Sequence, residues 1–425
     1  GVRRRPPARA AQAVSGRPPK RPAQERATAS RSAAPAGEPA VVLKPGKDKA
    51  VRNRHHWIFS GAVQSIPAGA EDGSILPVES SNGELLGHAY FNRKCSIAGR
   101  MVSFGESPPL EAVDEAIGRA IDLRRTLFDA RTTALRLVNG EGDALPGLVV
   151  DRYADVLVVQ VSTLGMERLK PFVVGRLVER ASPRAILERS HVASRREEGL
   201  ASSEGVLHGS AVAAVEVLEE GLRFEVDLVH SQKTGLYLDQ REMRKRVRDL
   251  ARGRRVLNAF SYTGGFTVHA LAGGAEAVVS VDSSAPAIAL AARNVALNGF
   301  PAAASDCVAA DVFEFVRERP LDFGLVVLDP PAFAKKKGEV VAACRGYKDL
   351  NRIVLGKVPP GALVLTFSCS FFVDEALFRK VVFQAALEAK RRVRILEKHR
   401  QAADHPVNVY HPESEYMKGF LLHVE

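Results

Sequence analysis

The sequence predicts an α/β protein. A mostly parallel sheet with helices on both faces fills its C-terminal half, after a small β-rich barrel or sandwich and an α+β middle unit. Three observations carry this. From Asp227 onward, short apolar runs alternate with helical stretches, the pattern of repeated strand–helix–strand steps. Within that half, Arg255–Ser283 reads strand, Gly-Gly loop, helix, strand and acidic residue, one βαβ unit with a nucleotide-type site at the carboxyl end of its first strand. Near the start, Val41–Phe104 alternates apolar runs with Gly, Pro and Asn, as small β units do.

A chain of 425 residues is long enough for two or three domains, and 46% hydrophobic residues give it real cores. No apolar run approaches the roughly 18 residues that crossing a bilayer takes. Cys95, Cys307, Cys344 and Cys369 are scattered without a C-x-x-C pair, which argues against a disulfide framework and against a zinc site. No metal is expected, and a reducing, cytoplasmic compartment suits these thiols. The net charge is +11, but nine Lys/Arg against two Glu put +7 of it in residues 1–40. Overall basicity is therefore weak evidence for nucleic-acid binding by the folded part.

In chain order, residues 1–40 are rich in Arg, Pro and Ala, lack aromatics and cannot bury a core, so a disordered basic tail is expected. A solvated extension is the reading its composition favours. An arm drawn to RNA phosphates and an organelle transit peptide are the alternatives. The chain opens on Gly1 rather than Met, so a start further upstream is expected. In the β unit, Lys44, Lys47, Lys49, Arg52 and Arg54 cluster with His55, His56 and Trp57. Such a loop suits RNA backbone contact with base stacking, although Trp57 itself is expected in the core.

Pro108–Asp129 places Val113, Ile117 and Ile121 on one helical face. A strand pair around the ALPG turn follows, then a helix near Met166–Arg180 and strands at Ala185–Glu188 and Ala213–Leu218. This middle unit shows no catalytic cluster. Beyond the βαβ unit, the sequence predicts helices at Ala285–Asn298 and Asp374–Glu388. It places Asp311, Asp329 and Cys369 near successive strand ends.

A dinucleotide site wants G-x-G-x-x-G so that a pyrophosphate can sit on the helix N-terminus. Here the loop is N-A-F-S-Y-T-G-G-F, with Phe260 and Tyr262 where a pyrophosphate needs space. A phosphate-free nucleoside ligand fits better, and S-adenosylmethionine is one. Asp282 is placed to accept from a ribose diol, and Asp311 from an adenine amino group. Asp329-Pro330-Pro331 makes a rigid loop, because consecutive prolines fix φ and remove donors. Cys369 stands in T-F-S-C-S at the polar exit of its strand, unlike the apolar middle where a structural cysteine packs.

At these residues the chain resembles a known family. Ser231–Glu425, through QKTGLYLDQRE, VLNAFSYTGGF, VVSVDSS, LDPPAF, CRGYKDLN, LTFSCS, RQAADHPV and PESEYMKGF, is similar to the class I methyltransferase domain of bacterial 23S ribosomal RNA cytosine-C5 methyltransferases of the large-subunit methyltransferase I type. LKPGKDKAVRNRHHWIFSGAV resembles their N-terminal PUA domain, and LVNGEGDALPGLVVDRYADVLVVQ their middle domain. The resemblance implies a PUA-like RNA-binding unit at 41–105, an α+β unit at 106–226 and a Rossmann-like methyltransferase unit at 227–425. It implies S-adenosylmethionine as cofactor, held by Gln240, Asn258, Phe260, Tyr262, Gly264, Gly265, Asp282, Asp311 and Pro330. It also implies large-subunit ribosomal RNA as partner and Cys369 as the catalytic nucleophile, and Asp329 is the candidate for the second catalytic residue. Three departures bear on how the base is positioned: Ala332 replaces the usual basic residue after Asp-Pro-Pro, FFVDEALF follows S-C-S, and His55-His56-Trp57 stands for H-P-W.

In the implied chemistry a Cys369 thiolate adds to cytosine C6, making C5 nucleophilic, and is later eliminated. Asp329 either binds the N3/amino edge of the base or removes the C5 proton. With Ala332 in place of a second cysteine, a single-cysteine scheme is expected. The alternatives are methylation of a guanine nitrogen, which needs no thiol, and a non-catalytic RNA-binding assembly factor, which predicts no cofactor binding. A dehydrogenase is disfavoured by the loop. The oligomeric state is left open, a homodimer included.

Overall fold

The computed structural model describes residues 39–229 and 235–425. The expected disordered tail, up to residue 38, lies outside them. The first unit is a six-stranded sheet of β1 (Val41–Leu43), β2 (Trp57–Phe59), β3 (Val63–Ser65), β4 (Ile75–Glu79), β5 (Leu85–Phe91) and β6 (Ile97–Phe104), with short helix α1 (Lys49–Arg52). Its order is β2-β6-β5-β4-β1-β3, and Val41, Leu43, Ile58, Val78 and Met101 fill its interior.

Trp57 departs from its expected core position. It is half-buried at a junction between units, where its indole N–H donates to Glu141 Oε1 at 2.8 Å and its ring meets the edge of His411. The indole has one donor and needs an acceptor once buried. Glu141 of the next unit supplies it.

The middle unit follows with α2 (Pro109–Leu127), β7 (Ala134–Asn139), β8 (Leu148–Tyr153), β9 (Val156–Val161), α3 (Leu164–Ala181), β10 (Ala185–Ser190), α4 (Ala193–Glu197), β11 (Ser203–His208), β12 (Ala214–Glu219) and β13 (Leu222–Asp227). Its five-stranded sheet runs β11-β10-β9-β8-β7, with β12 and β13 forming a separate hairpin. Helix α2 packs its Val113, Ile117 and Ile121 face into the core that Val150, Val159 and Leu177 share, as their spacing predicts.

The C-terminal unit comprises α5 (Arg241–Leu250), β14 (Arg255–Ala259), α6 (Gly265–Ala272), β15 (Ala277–Asp282), α7 (Ala285–Leu297), β16 (Ser305–Ala309), α8 (Val312–Glu318), β17 (Leu325–Leu328), α9 (Val340–Lys357), β18 (Leu363–Ser368), α10 (Glu375–Glu388), β19 (Val393–His399) and β20 (Lys418–Val424). The sheet order is β16-β15-β14-β17-β18-β20-β19. Strands β14 to β18 pair in parallel, and β20 pairs antiparallel with both β18 and β19. Strands β17 and β18 are buried along their whole length, which is why they read as unbroken apolar runs. Core residues of α6 and α7 lie on one face of the sheet, and those of α8, α9 and α10 on the other. The order reverses beside β14, where β15 leaves on one side and β17 on the other, so a crevice opens at the carboxyl ends of these strands.

Helix α5 is basic, yet two of its arginines, Arg241 and Arg244, are buried. Arg244 grips Glu219 of β12 through Nε and Nη2 at 2.5 and 2.6 Å. Arg241 pairs with Asp404 at 2.9 Å and donates to the carbonyl of Ala134. Asp404 also accepts from the Arg136 backbone, and its own carbonyl accepts from Arg124, which is paired with Asp143. Middle and C-terminal units are thus joined by a buried chain of charges as well as by a continuous apolar core.

Burial depresses the pKa of His56, His269, His399, His405 and His411. A group whose folded pKa lies below its unfolded value of about 6.5 takes up its proton in the unfolded chain first, so stability falls as pH drops below that value. The expected result is a urea midpoint that declines between pH 7.5 and 5.5. A second decline is expected below about pH 4, where Asp404 and Glu219 take up protons in the unfolded chain while in the folded one their arginines, outweighing burial, keep them charged. An unchanged midpoint from pH 7.5 to 5.5 contradicts the first part.

Candidate active site

The crevice is built from the loops that leave β14, β15, β16, β17 and β18. In the loop after β14, Phe260 and Tyr262 hold left-handed backbone at φ 62° and 47°, and Gly264 follows at φ 79°. Bulky residues in that region cost on the order of 1–3 kcal/mol each and persist where the surroundings over-determine them. Those surroundings are visible. Tyr262 N donates to Asp282 Oδ2 at 2.9 Å, Tyr262 OH donates to the Gly235 carbonyl at 3.0 Å, and Tyr237 meets the Tyr262 ring edge-on. A Cβ on Gly264 would come within 2.9 Å of Ala291 Cβ, so glycine is required there by both space and φ. Gly265 then opens α6.

Asp282 ends β15 and also accepts from Ser284 N at 2.9 Å. Two backbone donors fix its carboxylate and leave lone pairs for a further partner. Asp311 caps α8, accepting from Glu314 N at 3.0 Å, and is exposed at the rim. Asn258, fully buried in β14, donates to Thr267 Oγ1 at 2.9 Å, and its Oδ1 has no partner among the described residues.

Asp329 and Pro330 leave β17 next to this loop. Gln240, just ahead of α5, donates from Nε2 to Asp329 Oδ1 at 2.8 Å, while its buried Oε1 finds no partner among the described residues. Cys369 leaves β18, the neighbouring strand, and its Sγ lies 3.9 Å from the Pro330 carbonyl. The thiol and the Asp329 carboxylate therefore belong to one crevice. Tyr237 senses both: burial raises its pKa first, with Tyr262, Asp329, Asp239 and Cys369 adding to the rise. Lys418 of β20 approaches from the other side, donating from Nζ to the carbonyls of Ser370 and Tyr416 at 2.9 and 2.8 Å. Burial lowers its pKa, and Cys369, Asp374 and Glu415 oppose that.

Three features went unread in the sequence. Phe313 packs edge-on against Phe260 and tilted against Phe333, which stacks towards Tyr347, so an aromatic wall runs from the β14 loop to the β17 loop. Its only sequence signal was an apolar residue two positions after Asp311. Tyr237 and Lys418 sat inside matched stretches without a chemical cue of their own.

The residues fit a bound S-adenosylmethionine. Asn258 Oδ1 and Gln240 Oε1 are buried acceptors lacking donors among the described residues, Asp282 keeps acceptor capacity, and the loop carries bulky aromatics where a pyrophosphate would have to lie. Fold and crevice define a nucleoside-binding enzyme of the S-adenosylmethionine-dependent methyltransferase class. Residues 156–403 match the S-adenosylmethionine-dependent methyltransferase family, and residues 41–104 a PUA-like domain.

A protein of Aliivibrio fischeri named ribosomal RNA large subunit methyltransferase I is 41% identical over 394 residues, covering 90% of this chain and 99% of that one. Its namesake from Vibrio cholerae is 40% identical, covering 91% and 99%. The solved structure of an S-adenosylmethionine-dependent methyltransferase from Streptococcus mutans superposes with a TM-score of 0.76 at 24% identity, covering 90% of this chain and 99% of that one. A methyltransferase in complex with SAH gives 0.77 at the same identity and coverage. The chain belongs to the ribosomal RNA large subunit methyltransferase I family, and S-adenosylmethionine is its cofactor. Among the described residues no helix is long and apolar enough to cross a membrane.

Proposed function

We propose that the protein forms 5-methylcytosine in large-subunit ribosomal RNA, acting in the cytoplasm through a covalent Cys369 adduct. The observation that carries this reading is the meeting of a strand-exit thiol and the Asp329 carboxylate, through Pro330, beside the nucleoside crevice. The named relatives support the RNA substrate. In the proposed division of labour, residues 41–105 contact RNA, 106–226 support the catalytic unit, and 227–425 carry the chemistry.

Bound S-adenosylmethionine supplies an electrophilic methyl group. Asp282 takes the ribose diol, and Asp311 with the Phe260, Phe313 and Phe333 wall takes the adenine. Asn258 and Gln240 offer their unfilled oxygens to the amino-acid end, with Tyr262, Gly264 and Gly265 shaping the loop and Pro330 lining the base side. Cytosine C5 alone is a poor nucleophile. Addition of the Cys369 thiolate to C6 places the electron pair on C5, and Asp329 at the N3 edge stabilises the charge that develops on the ring. Once C5 has taken the methyl group, a base removes its proton, the C5–C6 double bond re-forms and the thiolate leaves. Ala332 leaves no second thiol next to Pro331, so one cysteine serves both addition and elimination. Lys418, an ammonium fixed at the peptide after Cys369, favours the thiolate form.

Incubation of the protein with S-adenosylmethionine and unmodified large-subunit RNA, followed by nucleoside mass spectrometry, tests the reading. The expected product is 5-methylcytidine, and an N-methylguanosine would replace this reading with its nearest rival. Asp282→Ala is expected to weaken S-adenosylmethionine binding in calorimetry by about 10-fold to 100-fold, the loss of one or two charge-assisted hydrogen bonds. Unchanged affinity removes Asp282 from the cofactor set.

A further inference from the structure

Immediately after Cys369 the chain does something that packing does not explain. Phe371 and Phe372 are 52% and 39% exposed, although Val373 beside them is fully buried. Their rings meet edge to face at 5.4 Å. Scattered exposed apolar residues are ordinary, but two adjacent aromatics at the mouth of a catalytic crevice are not scattered. The turn that displays them is held from several sides. Val373 N donates to the Ser370 carbonyl at 3.1 Å, that carbonyl also accepts from Lys418, and Ser370 Oγ accepts from Ala334 N at 3.1 Å and shares a 2.9 Å hydrogen bond with Tyr347 OH.

The Ala334–Ser370 bond brings a second feature to the same place. Lys335, Lys336 and Lys337 follow Ala334 directly, all three are exposed, and none has an ion pair among the described residues. The nearby carboxylates are committed elsewhere: Glu339 accepts from the Lys335 and Lys336 backbones, and Asp374 caps α10.

We propose that Phe371 and Phe372, together with Lys335, Lys336 and Lys337, form a subsite for the unpaired RNA nucleotides flanking the target base. The two rings stack on bases, and the three ammoniums hold the adjoining phosphates. This rests on the proposed RNA substrate and deepens it, because it specifies single-stranded rather than duplex RNA at the crevice mouth. Stacking faces beside a cationic track are what unpaired strands require, since every base has a π-face and every linkage a charge. The lysine run is also what favours RNA over a second copy of this chain as occupant, for it offers charge complementarity to phosphate.

The test uses the full chain and a fluorescent 12-nucleotide single-stranded RNA, read by anisotropy at several salt concentrations. The paired change Phe371→Ala and Phe372→Ala is expected to weaken binding about 10-fold to 100-fold while leaving the salt slope unaltered. Phe371→Trp with Phe372→Trp keeps wild-type affinity or exceeds it. Replacing Lys335, Lys336 and Lys337 by Gln lowers the slope of log K against log salt by about 2, at roughly 0.7 per phosphate contact on a single strand. S-adenosylmethionine affinity stays at the wild-type value in all three, which verifies folding.

Wild-type RNA affinity in the Ala pair overturns the proposal. So does an equal loss on duplex RNA of the same length, or a change of oligomeric state on sedimentation, which assigns the rings to a protein interface. If the wild type binds the strand as expected but yields no 5-methylcytidine, the assignment of the target base fails and the subsite stands.

Discussion

Cys369→Ala is expected to abolish methylation, lowering kcat by on the order of 10⁴-fold or more, the scale seen when a nucleophile that works as a unit with its partners is removed. Without addition at C6 the cytosine ring has no carbanion-like C5, so the remaining groups bind and orient a base that cannot react. S-adenosylmethionine affinity should be unchanged, because Cys369 stands on the β18 side of the crevice while Asn258, Asp282 and Asp311 stand on the β14, β15 and β16 side. A matched loss in Cys369→Ser separates thiol chemistry from packing, since the hydroxyl fills the same space but is far less nucleophilic. Steady-state kinetics with large-subunit RNA checks this, and substantial activity in Cys369→Ala would favour the guanine-nitrogen reading, which needs no thiol.

The largest structural effect is expected from Glu219→Ala. This carboxylate is fully buried and accepts from Arg244 twice and from His269 at 3.1 Å, with Arg241 at 3.4 Å. Removing it leaves the Arg244 guanidinium buried without its counter-charge, a change that costs about 3–5 kcal/mol. Because Glu219 stands on β12 and its arginines on α5, the loss also loosens the junction between the middle and C-terminal units. The expected readouts are a lowered urea midpoint and faster proteolysis between the two units. The exposed pair Arg119–Glu115 gives the contrast, since breaking a surface helix pair costs about 0.3–0.5 kcal/mol. Equal effects at the two sites would show that the buried charges carry no special share of stability.

Much of the fold was legible because its signals are local. Glycine placement marked the β14 loop, apolar runs marked the fully buried strands, and Asp282, Asp329 and Cys369 announced themselves by polarity at a strand exit. The unread parts depend on partners distant in the chain. Arg241 and Arg244 look like ordinary charges on a basic helix until Asp404 and Glu219 arrive from elements 163 and 25 residues away. Trp57 looked like barrel core because an indole is mostly apolar. Its single N–H sought an acceptor 84 residues on, at Glu141. Phe313 needed Phe260 and Phe333 beside it before it read as a wall.

A covalent bond between Cys369 and cytosine C6 underlies the proposed reaction, and trapping measures it. An RNA carrying 5-fluorocytosine cannot release its C5 substituent as a proton, so the adduct should persist after methyl transfer. The expected product is a denaturation-resistant protein–RNA complex that requires S-adenosylmethionine, maps by peptide mass spectrometry to Cys369, and is absent from Cys369→Ala. A complex that survives in Cys369→Ala, or maps to Cys95, Cys307 or Cys344, would contradict it.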